Sequence, residues 1–206
     1  MTLNGTPATR DRLIDATVAL VRAKGAAATG TKEILDRAAA PRGSFYFHFP
    51  EGKNQLVLEA MRRAGAATLG ALEAALANEK DDLGPQISSV FEAIAADLED
   101  NDYGPGCAVA VTTMESASNS AIFQQAVAEV FSTWTAAIVD ALLGRGVEHE
   151  QAARFADALV AAMEGATLLA RAQRDTRPLH NAAAVLLLSI PLVTSDADRP
   201  RARRRR

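Results

Sequence analysis

Two short helical periods separated by an Ala/Pro turn, in the run TGTKEILDRAAAPRGSFYFHF at Thr29–Phe49, constrain this 206-residue chain more than any other feature. Ile34 and Leu35 supply apolar contacts on the first period and Ala38 closes it, leaving Lys32 and Arg37 outside. Pro41 suits the first turn of the second period, where its missing N–H is no loss. Arg42, Gly43 and Ser44 then present a slim, polar, cationic surface ahead of Phe45 and Tyr46. The spacing predicts a helix-turn-helix able to enter a major groove, with Gly43 admitting close backbone approach and Ser44 in reach of a phosphate or a base edge. Phe45, Phe47 and Phe49 read as anchors of the second helix. Spacing alone is also satisfied by two packing helices with no partner.

The flanking residues narrow the choice. Thr9 reads as an N-cap, Asp11 as a first-turn acid, and Ile14, Ala16, Ala19 and Leu20 as the apolar side of a helix that Gly25 ends. Arg10 and Arg12 sit at its start. Thr29 reads as the cap of the next helix, and Pro50-Glu51-Gly52-Lys53 follows the aromatic run. From about Arg10 to Leu58 the chain resembles the N-terminal domain of the TetR family of transcriptional regulators. The segments ATG at 28–30, PRGSFYFHFP and EGK resemble its LmrA/YxaF-like branch.

The resemblance implies a DNA-binding surface made of Arg10, Thr29, Gly30, Thr31, Lys32, Arg42, Gly43, Ser44, Tyr46, His48 and Lys53. Arg10 would lie near the DNA backbone, with ordinary solvated arginine as the other reading. Arg42 is the candidate base reader, since arginine bonds guanine through two parallel N–H groups, with phosphate as its alternative target. Tyr46 holds the family position of a phosphate-binding hydroxyl. His48 either shares that role or hydrogen-bonds within the domain. At Lys53, an ammonium and helix N-terminal amides can hold the same phosphate. Thr31 departs from the larger apolar residue common in the family, so it either packs less tightly or offers its hydroxyl.

The formal net charge of −3 does not look like that of a nucleic-acid binder, but it is unevenly distributed. Residues 1–60 carry eight Lys/Arg against six Asp/Glu, whereas residues 73–102 carry nine Asp/Glu against one Lys. The chain suits an all-α protein: an N-terminal three-helix helix-turn-helix domain at residues 1–55, a helical ligand-binding and dimerisation domain at 56–192, and a basic, disordered tail at 193–206. Apolar residues make up 49%, much of it alanine, which favours close-packed helices. The N-terminus carries no basic-then-apolar leader and no run of about twenty strongly apolar residues is present, so the expectation is a cytoplasmic protein without a membrane partner.

Helical periods are expected at about 51–77, 83–98, 107–117, 120–143, 148–171 and 178–190, with loops at NDYGPG (101–106) and GRG (144–146). The resemblance implies that the last two helices pair two copies of the chain, with Leu159, Met163, Ala166, Leu168, Leu187 and Ile190 in the seam; an internal core helix is the alternative for the last. It also implies an enclosed site for a hydrophobic or aromatic effector. Phe91, Met114, Phe123, Phe131, Trp134 and Ile138 are large enough to line it, Tyr103 or Gln124 could supply a polar contact, and Trp134 leads because its ring packs while its N–H orients. Packed core is the alternative for each. Cys107, also assigned to the effector site, opens GCAVA, similar to a GCPVA-like pattern of the branch; it reads otherwise as a redox sensor or as a small buried residue.

No enzyme is expected. His48, His149 and His180 fall on different elements, the single cysteine has no positioned base, and no metal ligand set or cofactor motif is present. The implied function is a repressor that binds a palindromic operator as a homodimer and is released by a small molecule. The alternatives are a helical oligomerisation or adaptor protein without a DNA target, and an enzyme with a pocket.

Overall fold

The computed structural model describes residues 8–117 and 120–194, and every regular element among them is helical. The order is α1 (Thr9–Lys24), α2 (Thr31–Arg37), α3 (Arg42–His48), α4 (Lys53–Leu76), α5 (Leu83–Asp100), α6 (Ala108–Thr112), a π-helical turn (Thr113–Ala117), α7 (Ala121–Gly144), α8 (His149–Gln173) and α9 (Arg177–Thr194). The expected periods therefore form, with two differences. The 107–117 period yields a single α-turn that widens into the π-turn. The last helix runs through Pro191 to Thr194, because a proline there removes one N–H bond without stopping the final turn. Residues 195–206, most of the expected basic tail, lie outside the described residues.

Local chemistry sets the ends. Asp82 caps α5 by accepting the Gly84 N–H at 3.0 Å, with Pro85 in the first turn. Glu148 caps α8 by accepting from the Glu150 and Gln151 amides at 2.8 and 3.2 Å, so this carboxylate serves the backbone. Thr9 and Thr29 do not take the cap positions assigned to them. Ala8 and Gly30 stand there without side-chain bonds, because each helix begins one residue away from the threonine's capping site. At the C-terminal ends the Schellman pattern recurs: Ala40 N–H to Leu35 O (3.0 Å) with Ala39 N–H to Asp36 O (3.2 Å), and Val147 N–H to Leu142 O with Gly146 N–H to Leu143 O. Gly146 suits its left-handed φ of 80°; Ala39 at 47° does not.

The chain divides into two compact units: residues 1–67 with 103–130, and 68–102 with 131–206. Helices α4 and α7 contribute to both. In the first unit, Leu13, Ile14, Ala16 and Leu20 of α1 pack with Ile34, Leu35, Phe45, Phe49, Leu56 and Ala60. A second cluster joins Val21, Ala26, Val57, Ala108 and Phe123, tying α6 and the start of α7 to α1, the connection after it and α4. Outside these cores Arg63 of α4 bonds Asp15 at 2.8 Å and also Asp11, and the two carboxylates, Asp11 first, raise the guanidinium pKa further.

In the second unit α5 packs on α8 and α9, and α8 packs on α9. Phe91, Leu98, Trp134, Ile138 and Leu159 are fully buried there. Arg145 stitches the loop after α4 by donating to the Asn78 carbonyl at 2.8 Å. By length and composition α7 is the one described helix apolar enough to cross a bilayer, but the face bearing Trp134, Ile138 and Leu142 is buried against protein.

Candidate nucleic-acid interface

The helix-turn-helix is built from inside out. Phe45 and Phe49 stand four residues apart, so they share one face of α3 and its exit and sink into the first core, with ring centroids 6.2 Å apart. Phe47, two residues from each, is turned about 200° away and is 81% exposed. It is not an anchor, which corrects the sequence expectation: spacing of two residues is a strand period, not a helical one. Tyr46 is 69% exposed and meets the edge of Phe45 at 5.0 Å. Half-buried His48 packs against the Phe47 ring at 4.9 Å.

Arg42, the first residue of α3, is exposed and makes no side-chain hydrogen bond or ion pair among the described residues. Pro41 occupies the N-cap position one residue earlier than expected, and its carbonyl accepts both the Ser44 N–H (3.0 Å) and the Ser44 hydroxyl (2.6 Å). Ser44 thus spends its proton on the turn and keeps acceptor capacity outward. Gly43 is exposed, has no positive φ, and a Cβ there would meet nothing within 4 Å. The fold itself does not require glycine at this position.

Around this face, Gly30 is exposed and Thr31 half-buried at the start of α2. Lys32 bonds Asp36 one turn on at 2.9 Å, and that hydrogen bond, then Coulomb attraction, raises the ammonium pKa. Lys53 opens the 24-residue α4, the end at which a helix leaves its first amide N–H groups without intrahelical partners. Two assigned residues have other work. Thr29 is 1% exposed and gives its hydroxyl to the Gly25 carbonyl at 2.6 Å, so it braces the α1–α2 turn and has no surface for a ligand. Arg10 pairs with Glu59 and lies over the Phe49 ring at 5.4 Å, with its side chain still 45% exposed. Arg12 similarly donates to the Ala38 carbonyl at 3.0 Å.

The residues assigned to an effector are dispersed. Phe91, Trp134 and Ile138 are buried in the second unit, with half-buried Phe131 edge-on to Trp134 at 5.2 Å. Phe123 is committed to the core of the first unit, and Gln124 beside it on α7 is exposed. Met114 is 66% exposed on the π-turn, so in this arrangement it lines no enclosed cavity. Tyr103 (φ 57°) and Cys107 are half-buried in and after the NDYGPG loop. An open groove of about 480 Å³ lies instead between α8 and α9, lined by Ala162, Gly165, Ala166, Leu169, Pro178 and Ala182 among others.

Of the pairing residues, Leu159, Met163 and Ala166 are buried within the protomer, because they occupy the face of α8 that meets its own core. Ala166 still borders the groove, Leu187 and Ile190 are half-buried, and Leu168 is exposed. Leu169, Val185 and Leu188, the last 78% exposed, extend that apolar surface. Among the described residues no group of three or more His, Cys, Asp or Glu side chains is gathered as for a metal ion.

This arrangement, an exposed helix-turn-helix in one unit and a helical bundle in the other, is that of a DNA-binding transcriptional regulator. Residues 13–60 match the N-terminal model of the bacterial regulatory proteins of the tetR family, and residues 85–185 match a model described as the C-terminal domain of LmrA/YxaF-like transcriptional regulators. An HTH-type transcriptional regulator of Mycobacterium tuberculosis is 30% identical over 175 residues, covering 82% of this chain and 88% of its own. The regulator LmrA of Bacillus subtilis is 24% identical over 170 residues, covering 82% and 90%. A TetR transcriptional regulator from Legionella pneumophila superposes with a TM-score of 0.79 at 21% identity, over 90% of this chain and 99% of that one. One from Chloroflexus aurantiacus gives 0.72 at 26%, over 88% and 93%. The chain belongs to the TetR family.

Proposed function

We propose that this protein is a repressor of the LmrA/YxaF-like branch that occupies a palindromic operator as a homodimer and leaves it when a hydrophobic or aromatic small molecule binds. The observation that carries the reading is the outer face of α3: free Arg42, a glycine at 43 that the fold does not need, and outward Tyr46 and Phe47. Arg42 reads a guanine edge, Tyr46 and Lys53 hold phosphates, and Gly43 lets the backbone come close. Lys32 joins them by exchanging its surface partner Asp36 for a phosphate, and Gly30, Thr31, Ser44 and His48 border the surface.

A second copy covers the α8–α9 groove, since a two-fold pairing sets Leu169, Val185 and Leu188 against the same residues of its mate. The two heads then face half-sites about one helical turn or somewhat more apart. The effector enters the aromatic interior around Phe131 and Trp134. Release requires that it bind the DNA-compatible arrangement less well than the incompatible one, because equal affinity moves no equilibrium.

Selection of duplexes from a randomised pool by the purified protein tests this reading. The expected product is an imperfect palindrome bound with a steep salt dependence, and Arg42→Ala should relax discrimination at one position of each half-site. Recovery of no consensus would reject the reading in favour of a helical adaptor. A uniform loss for Arg42→Ala on all duplexes would make that residue a phosphate contact.

A further inference from the structure

The exit of α1 is gripped at two points by the segment around α6. Gly106 N–H donates to the Arg22 carbonyl at 2.8 Å, and Arg22 Nε donates back to the Gly106 carbonyl at 2.9 Å. Nine residues on, Glu115 in the π-turn accepts the N–H of Ala26 at 2.7 Å and of Ala27 at 3.2 Å through one carboxylate oxygen. These amides lie just past the end of α1, in the connection that Thr29 braces from within through the Gly25 carbonyl. Gly25, with a φ of 85°, admits this approach: a Cβ there would overlap the Glu115 carboxylate. The carboxylate is carried by the third residue of the π-turn Thr113–Ala117.

We infer that Glu115 is a positioning residue for DNA recognition: its carboxylate fixes the path of the chain from α1 into α2, and with it the presentation of α3. The contact is short-range, charge-assisted and made to backbone, so it sets a geometry that no side-chain substitution at 26 or 27 can replace. The inference rests on the DNA-binding reading above. Nothing in it depends on the identity of the effector.

The test compares full-length wild type, Glu115→Ala and Glu115→Gln, using the duplex recovered by selection and a scrambled duplex, alongside amide hydrogen exchange without DNA. Glu115→Gln keeps a carbonyl acceptor; Glu115→Ala keeps none. Glu115→Ala should lose operator affinity by roughly tenfold with little change on the scrambled duplex, and Glu115→Gln should recover most of the loss. Exchange at Ala26 and Ala27 should quicken in Glu115→Ala, while the melting temperature stays close to wild type. Wild-type affinity and exchange in Glu115→Ala would overturn the inference. So would equal losses on both duplexes accompanied by a collapsed melting temperature, which would make the residue merely structural. If wild type itself prefers no duplex, the DNA-binding reading fails, and the positioning role in recognition falls with it; unaltered affinity in the variant of a selective wild type sinks the inference alone.

Discussion

Phe47 and Ala39 show how much single residues of the helix-turn-helix decide. The exposed Phe47 on the outward face of α3 meets His48 on one side and leaves most of its ring to solvent, and an aromatic edge in a major groove finds its apolar match in the thymine methyl. Replacing operator thymines one at a time with uracil should therefore cost wild type about 0.8 kcal/mol at the contacted position, the worth of one buried methyl group. The same replacement should cost Phe47→Ala nothing there, a cycle that isolates the pair; an equal cost in both proteins would place Phe47 away from the bases. Ala39 is a different case. It closes α2 with a φ of 47° in a motif that favours glycine, so Ala39→Gly should raise stability by about 0.5–1 kcal/mol in a denaturant melt, the relief of left-handed strain less the added freedom of the unfolded chain. Unchanged or lower stability would mean that the turn adapts to alanine without strain.

At the scale of elements, periodicity made the helices legible, because i, i+3, i+4 spacing survives in α1, α5 and α8 wherever a helix has one wet side. It located the helix-turn-helix and the long α4. It did not distinguish the face of α8 that meets its own protomer from the face left open, since Leu159, Met163, Leu168 and Leu169 differ in direction but not in chemistry. Nor does any periodicity announce a π-turn, on which Met114 is exposed and Glu115 meets the α1 exit. The open stripe of α8 and α9 carries its own expectation. Leu188 is exposed in the protomer, so Leu188→Glu should alter protomer stability by no more than about 0.5 kcal/mol. In a symmetric pair the new charge appears twice in one apolar seam, and sedimentation should show a monomer at concentrations where wild type is a dimer. That monomer should bind a half-site as well as wild type does and lose the advantage of the full palindrome. A dimer of unchanged strength would move the pairing surface elsewhere on the chain.

Over the whole molecule, the charge balance sets the terms on which the chain meets a polyanion. The net charge of −3 includes six arginines at positions 199, 201 and 203–206; without them it is −9, because −3 less 6 is −9. The helix-turn-helix supplies a modest local excess of positive charge, and residues 73–102 oppose it with nine acids. Those acids lie within the field of the duplex only at separations of about a Debye length, roughly 8–10 Å at ordinary salt, so their effect fades as salt rises. The terminal arginines either add phosphate contacts, offset the acidic body or simply stay solvated, and the salt slope separates these readings. As added phosphate contacts they release counterions, and deleting residues 199–206 should make the slope of log affinity against log salt shallower by about 0.9 for each phosphate given up, on operator and scrambled duplex alike. As a mere counterweight to the acidic body they change the affinity at low salt and leave the slope at moderate salt nearly untouched. We expect the first result, with the ratio of operator to scrambled affinity unchanged, because backbone contacts carry no sequence information. A deletion that keeps both affinity and slope would reject the supplementary arm and leave the reading head as the sole source of attraction to DNA.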